Sequence, residues 1–214
     1  MVHLYEQYRP AAFSEVLGQE RIVKRLDVMR NRAGFGGACF WVSGKSGQGK
    51  TSIARLIAAE LADDFCVVEI DADALTPNTL RDIERDFHYS AMGKGGRALI
   101  VNEAHGLKRH VIRQLLVTLE SLPDHVVVIF TTTIEGENSL FDDYDDASAL
   151  LSRCVRLSLA TQGLAPVFAK LALKVTVENG LGEPTYNQCL RLVNDHKGNM
   201  RAVLQAIESG AMLA

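Results

Sequence analysis

The segment GKSGQGKTS, at residues 44–52, contains the residue types that surround a bound phosphate. It matches the pattern G-x-x-x-x-G-K-[ST], and it follows an apolar run and precedes a helical pattern, as a phosphate-binding loop requires. Glycines let backbone N–H groups turn toward phosphate oxygens, the helix N-terminus adds a favourable dipole, and the lysine adds positive charge. A turn without a ligand is the alternative. We predict that a nucleotide binds at Gly44, Lys45, Ser46, Gly47, Gln48, Gly49, Lys50, Thr51 and Ser52, with the Thr51 hydroxyl on Mg²⁺.

A second candidate for chemistry is the stretch RALIVNEAHGL, at residues 97–107, where an apolar run ends in Asn102 and Glu103. A magnesium-dependent ATPase would have two acids here, but the first position is an amide. Glu103 is the natural candidate to orient and deprotonate an attacking water molecule. The run VVVIFTTT ends in hydroxyls at residues 131–133, which could hold that water or the γ-phosphate, although threonine is also common in strands for its β propensity alone.

Short apolar runs that alternate with helical patterns indicate the elements that position these residues. The runs lie at 38–43, 65–70, 98–101, 126–130 and 154–159. This alternation predicts an α/β fold with a parallel sheet. Thr76 followed by Pro77 predicts the start of a helix. Helical patterns at about 163–179, 184–196 and 199–209 carry no strand signal, so we predict an α/β domain over 1–160 and a small helical domain over 161–214.

The composition sets few limits on the partners. A net charge of -3 gives no global case for binding nucleic acid or a membrane surface, so any such contact must come from a local patch. The scattered residues Cys39, Cys66, Cys154 and Cys189 form no zinc pattern or disulfide framework and fit a reducing cytoplasm. The N-terminal segment lacks the apolar core of a signal peptide, and no window reaches the roughly 18 apolar residues of a membrane span. We expect a soluble cytoplasmic protein.

Six segments in order resemble an AAA+ ATPase of the clamp-loader group, similar to bacterial DNA polymerase III tau/gamma subunits and replication factor C small subunits. They are YEQYRPAAFSEVLGQERIVKRL (5–26), GKSGQGKT (44–51), LIVNEAH (99–105), HVVVIFTTT (125–133), LLSRC (150–154) and GNMRAVL (198–204). The resemblance covers about residues 5 to 210. Its Tyr-Arg-Pro and Ser-Arg-Cys segments are more specific than the phosphate loop.

The resemblance implies a P-loop NTPase (AAA+) fold with a five-stranded parallel sheet and a three-helix lid, with ATP and Mg²⁺ as ligands. It implies Glu103 as general base, Thr132 as polar sensor, Arg153 as an arginine finger for the neighbouring subunit's nucleotide, and Arg201 as a second sensor on the γ-phosphate. The metal residues would be Thr51 and Asn102. The residues implied to border the adenine are Tyr8, Arg9, Pro10, Val16, Leu17, Gly18 and Gln19.

The two arginines make physical sense in these roles. A guanidinium at Arg153 can stabilise charge on the γ-phosphoryl oxygens, and supplying it from another subunit makes hydrolysis depend on assembly. Arg201 lies in the helical domain, so contact with the γ-phosphate would couple nucleotide state to the lid angle. The alternative for either arginine is a surface ion pair.

Three features depart from the family pattern. Asn102 keeps an acceptor oxygen but lacks the charge that Mg²⁺ favours, so we expect ATP binding to survive and turnover to fall, unless the position tolerates the amide. The acidic stretch 135–146 is longer than the corresponding connection in the family. It is either a partner contact or a solvated loop. The sequence stops just after the lid, where clamp-loader subunits continue into a collar domain.

Local charge supports a contact with DNA. Lys108, Arg109 and Arg113 lie in the acid-free stretch 105–114, which begins a helix that in this family lines the central channel. There they would contact phosphates without reading sequence. A solvated basic helix face is the alternative. The leading hypothesis is an oligomeric ATPase of a clamp-loader-like complex acting on DNA in replication or repair, with neighbouring subunits, DNA and a sliding clamp as partners and no membrane. The alternatives are another AAA+ machine for branch migration or transposition, a structural ring subunit with weak or no hydrolysis, and, more distantly, a small-molecule kinase.

Overall fold

A computed structural model of the chain describes residues 2–91, 93–137 and 145–213. In this part of the chain, five parallel strands form one sheet in the order β2-β3-β4-β1-β5. The strands are β1 (Cys39–Ser43), β2 (Val67–Asp71), β3 (Arg97–Asn102), β4 (Val126–Thr132) and β5 (Val155–Ser158). The predicted α/β fold with a five-stranded parallel sheet is therefore confirmed.

Burial explains why the central strands were visible in the sequence. Every residue of β1 and β4 is buried, which is why these strands are almost continuously apolar. β2 lies at one edge of the sheet and is half-buried, and it includes two acidic residues. The fourth strand was predicted to end in the threonines 131–133, and β4 includes Thr131 and Thr132, whose side chains are also buried.

The helices include α1 (Leu4–Gln7), α2 (Glu20–Ala33), α3 (Lys50–Leu61), α4 (Pro77–Phe87), α5 (Arg109–Glu120), α6 (Asp145–Ser152), α7 (Ala165–Glu178), α8 (Tyr186–Asp195) and α9 (Met200–Glu208). Six of them agree closely with predicted patterns, whereas α1, α2 and α6 had none. The Thr76 side chain accepts a hydrogen bond from the Thr79 N–H, and Pro77 is the first residue of α4, as predicted. In the described residues no helix has the length and apolar character needed to cross a membrane.

The chain divides into two compact units. The larger unit contains Lys24–Gly44 and Lys50–Ser158, and its core packs Trp41, Leu99 and Phe130 between the sheet and its helices. The smaller unit contains the residues up to Val23, Lys45–Gly49 and the residues from Leu159 onward. In its core, Leu4 of α1 packs with the apolar faces of α7, α8 and α9. The predicted division at residue 160 considered the C-terminal helices alone and stays a prediction.

Candidate functional site

The carboxyl edge of the sheet collects the polar residues of the larger unit. Parallel strands end at the same edge, and open α/β sheets bind their ligands there. β1 ends at Ser43, which lies opposite Thr132 of β4, and β3 ends at Asn102, which lies opposite Asp71 of β2. The edge therefore brings together Asn102, Glu103 and the threonines of β4, which the sequence had placed at separate strand ends.

Asn102 is held by side chains of both neighbouring strands. Its Nδ2 donates a hydrogen bond to Glu69 Oε1 at 2.8 Å, and its Oδ1 accepts one from Thr131 Oγ1 at 2.9 Å. The other oxygen of Glu69 accepts a hydrogen bond from Arg55 Nε of α3 at 2.7 Å. Asn102 is therefore the centre of a network that fixes its orientation.

Glu103 has an unusual backbone conformation. It follows β3 with φ 49° and ψ 47°, the left-handed region that non-glycine residues seldom adopt. Such a conformation costs on the order of 1–3 kcal/mol and is found where a functional site requires a particular side-chain direction. The Glu103 carboxylate is 55% exposed, and its Oε2 lies 3.5 Å from His105 Nδ1. An exposed, directed carboxylate fits the expectation of a general base.

The threonines at the end of β4 have different partners. Thr131 binds Asn102, whereas the buried Thr132 hydroxyl lies 3.3 Å from His105 Nδ1 and donates to the carbonyl of Thr133. Thr132, the predicted sensor, therefore reaches Glu103 through His105. Sequence reasoning did not place His105 or Glu69 in this site. The available signals were the histidine in NEAH and a lone acid within the β2 pattern.

The phosphate loop connects β1 to α3, and its residues fall into both units. In the larger unit, the Gly44 N–H donates to the Thr132 carbonyl at 3.3 Å, and Lys50 begins α3 with its side chain buried. In the smaller unit, Gln48 Oε1 accepts a hydrogen bond from the Lys45 N–H at 3.0 Å, which shapes the loop from within. These contacts give an ordered loop where the sequence predicted phosphate binding.

Gly47 packs against the start of α9 in the smaller unit. It has φ 71°, its carbonyl accepts a hydrogen bond from the Met200 N–H at 3.2 Å, and a Cβ at this position would lie 1.8 Å from Asn199 Oδ1. Asn199 also caps α9, accepting from the Ala202 N–H at 3.2 Å. The loop backbone is therefore joined to the helix end that carries Arg201.

The N-terminal segment predicted to border the adenine is anchored within the smaller unit. The Tyr8 hydroxyl donates to Glu178 at 3.0 Å and accepts from Asn179 Nδ2 at 2.8 Å. Burial raises the pKa of Tyr8, Glu178 raises it further, and the Asn179 hydrogen bond opposes this shift. Gln19 makes a hydrogen-bond pair with the backbone of Ala160 at 2.7 and 3.2 Å. Among the other residues predicted to border the adenine, Arg9 pairs with Glu6 and Leu17 is exposed. Val16, Gly18 and Pro10 are half-buried.

The two candidate arginines each have a local partner. Arg153 follows α6, donates to the carbonyl of Ala149 at 2.9 Å and pairs with Glu120 at the end of α5. The Arg201 guanidinium lies over the Tyr5 ring, with Cζ 5.7 Å from its centroid. Arg153 is therefore oriented by a carboxylate that a phosphate oxygen could replace.

The basic residues of α5 are also paired. Arg109 and Arg113 contact Asp146 Oδ2 at 3.3 and 2.9 Å, and Lys108 precedes the helix as its N-cap residue. Arg113 and then Arg109 lower the pKa of Asp146 through these hydrogen bonds. Asp146 is the last residue of the acidic stretch 135–146, of which residues 138–144 lie outside the described residues. The described end of that stretch therefore meets the basic helix.

The oxygen donors at the sheet edge fit a nucleotide-bound Mg²⁺. This ion keeps several waters and takes few protein oxygens, so a hydroxyl from Thr51 and an oxygen near Asn102 would suffice beside the phosphates. No cluster of three or more His, Cys, Asp or Glu suited to a metal occurs in the residues that the structure describes. A metal held mainly by a nucleotide does not require such a cluster.

Comparison with known proteins identifies relatives of the whole chain. Residues 40–159 match the ATPase family associated with various cellular activities (AAA). DNA polymerase III subunit gamma of Buchnera aphidicola subsp. Schizaphis graminum is 28% identical over 99% of this chain and 61% of that protein. DNA polymerase III subunit tau of Escherichia coli K12 is 29% identical over 97% of this chain and 35% of that protein.

Among solved structures, the Thermotoga maritima RuvB Holliday junction branch migration motor has a TM-score of 0.69 with 20% identity, over 94% of this chain and 64% of that one. This likeness shows the fold. The chain spans 61% of the gamma relative and 35% of the tau relative.

Proposed function

Since this chain belongs to the AAA family of ATPases, we propose that it binds ATP with Mg²⁺ and hydrolyses it as a subunit of a clamp-loader-like assembly acting on DNA in replication or repair. The similarity to DNA polymerase III gamma and tau subunits along nearly the whole chain supports the clamp-loader group. The observation that carries hydrolysis is Glu103, an exposed carboxylate in a left-handed conformation directly after β3.

We propose the following roles for the remaining residues. Lys50 and the backbone of residues 44–52 bind the phosphates, Thr51 and Asn102 face the metal, and Thr132 acts with His105 beside Glu103. The contact of Gly47 with the start of α9 supports Arg201 as the residue that responds to the γ-phosphate. The C-terminal segment 161–214 would act as the lid. We propose that the assembly acts in the cytoplasm.

Arg153 is proposed to act on the nucleotide of a neighbouring subunit. Its ion pair with Glu120 is partly solvent-exposed, and exposed pairs are worth only about 0–1 kcal/mol. A phosphoryl group can therefore compete for the guanidinium at little cost, and hydrolysis becomes dependent on assembly.

The test is Mg²⁺-dependent ATPase activity against protein concentration, with and without primed DNA. We expect the rate per chain to rise with concentration, Glu103→Gln to abolish it with ATP binding retained, and Arg153→Ala to lower it by about 1000-fold, the lower end of the effect of an arginine finger. Arg85→Ala is the matched control, because Arg85 is 72% exposed and paired only within its helix turn with Asp82 among the described ion pairs. A rate independent of concentration and of Arg153 would overturn action in trans.

A second candidate is a ring subunit that holds nucleotide without hydrolysing it, and Asn102 is the observation that favours it. Retained ATP binding with no turnover under any condition of this test would support that role. Stimulation by a sliding clamp with primed DNA would support clamp loading over branch migration.

A further inference from the structure

The amide at residue 102 has a defined orientation. A carboxylate only accepts hydrogen bonds at neutral pH, so the Asn102 atom 2.8 Å from Glu69 Oε1 is the donor Nδ2. The Oδ1 atom then faces Thr131, whose hydroxyl donates to it at 2.9 Å. An aspartate in place of Asn102 would set a second carboxylate against Glu69 at this distance, where like charges repel.

Glu69 is in turn directed by α3. Its Oε2 accepts from Arg55 Nε at 2.7 Å while its Oε1 accepts from Asn102, so the carboxylate is held between helix and strand. Arg55 lies one turn after Thr51, and residues at this spacing share one helix face. Arg55, Glu69 and Asn102 therefore form a hydrogen-bonded series within the larger unit, and Thr51 lies on the same helix face as Arg55.

We propose that Glu69 is a positioning residue that supplies, through its hydrogen bond to Asn102, the negative charge that an aspartate would otherwise provide at the metal-facing end of β3. The neutral amide and the neighbouring carboxylate act together in place of one acid. This inference rests on the proposed nucleotide binding, and it concerns how strongly Mg²⁺ and ATP favour each other's binding.

The experiment measures the ATP dissociation constant in excess Mg²⁺ and in EDTA, and takes the ratio of the two as the magnesium coupling. Glu69→Gln removes the negative charge and leaves one acceptor oxygen, which can accept from Arg55 Nε, while the new amide N–H donates to the Asn102 oxygen once the Asn102 amide has turned over. We expect it to lower the coupling by about tenfold, the lower end of the effect of residues that support metal ligands. The exchange variant Glu69→Gln/Asn102→Asp, which moves the carboxylate to residue 102, is expected to restore the coupling to within about threefold, because the acid–amide pair is retained.

Asp71→Asn is the matched control, because Asp71 lies opposite Asn102 in the β2–β3 register and its replacement removes the same charge as Glu69→Gln. In the described structure, however, the Asn102 amide binds Glu69. Unchanged coupling in Glu69→Gln, a loss in Asp71→Asn of equal size, or failure of the exchange variant to recover would each overturn the proposal. Wild-type protein that binds no ATP in either buffer would instead contradict the proposed function. Thermal unfolding of each variant verifies that the fold is intact.

Discussion

Gly47 lies where both backbone conformation and close packing exclude a side chain. Gly163 has almost the same φ, 74° against 71°, but a Cβ there would meet nothing within 4 Å. We expect Gly163→Ala to lower the free energy of unfolding by about 1–2 kcal/mol through backbone strain alone. Gly47→Ala should cost a further about 1–3 kcal/mol because its methyl overlaps Asn199.

Urea unfolding of the two variants measures this difference, and ATP binding should weaken in Gly47→Ala alone. Equal unfolding free energies in both variants would contradict the close packing of the loop on α9.

The Cys39 thiol provides a second test at this scale. Burial raises the pKa of Cys39 well above its usual value, and the Cys154 sulfur, 2.7 Å away, raises it further. Because the thiolate is the nucleophile, we expect iodoacetamide at pH 8 to leave Cys39 unmodified in the native protein and to modify it in urea, as measured by mass spectrometry. Rapid labelling of Cys39 without denaturant would contradict its burial.

The residues of the candidate site were partly predictable. Asn102 and Glu103 were found because an apolar run ends at them, and the phosphate loop because its spacing is distinctive. Glu69 was not found, because its contact with Asn102 depends on the β2–β3 register, which no local pattern encodes. The left-handed conformation of Glu103 also has no signal in its residue type.

Helix α5 carries the predicted DNA-binding arginines, and their pairing with α6 gives a prediction at the level of elements. Asp146 occupies Arg109 and Arg113, so Asp146→Asn should free both guanidinium groups for phosphate. We expect its affinity for duplex DNA to rise by up to about fivefold, since an exposed ion pair is worth about 0–1 kcal/mol. The salt dependence of binding should also steepen.

Asp82→Asn is the control for this variant, because Asp82 is exposed on α4 and its loss changes the net charge by the same amount. If both variants bind DNA equally well, the effect comes from net charge, and the α5–α6 pairing has no part in it. Fluorescence anisotropy at two salt concentrations measures both quantities.

The element boundaries show why sequence patterns succeed for some segments. α4 and α8 begin at side-chain caps, Thr76 and Thr185, which are local signals. The end of β4 was predicted to within one residue, although its last two residues are threonines, which look polar and yet are buried. The approach of α6 to α5 could not be predicted, because it joins residues 33 and 37 positions apart.

The two units of the whole molecule have separate cores, and Trp41, the single tryptophan, is fully buried in the larger one. Its fluorescence should therefore report unfolding of that unit. We expect Ile129→Val to lower the tryptophan-detected stability by about 0.5–1.5 kcal/mol.

Val193 lies in the core of the smaller unit. Val193→Ala should change the unfolding transition that circular dichroism of the helices measures, with little effect on the unfolding transition that tryptophan fluorescence measures. Coincident shifts of both signals in both variants would show that the chain unfolds as one cooperative body.

The smaller unit is assembled from segments that lie far apart in the sequence, and this sets an order of events during synthesis. Gln19 binds the backbone of Ala160, 141 residues later, and Leu4 packs with α7, α8 and α9. A ribosome makes these partners only after every residue of the larger unit, and domains fold as they emerge. Leu4 must therefore remain without its packing partners until α9, which ends at Glu208, has been translated.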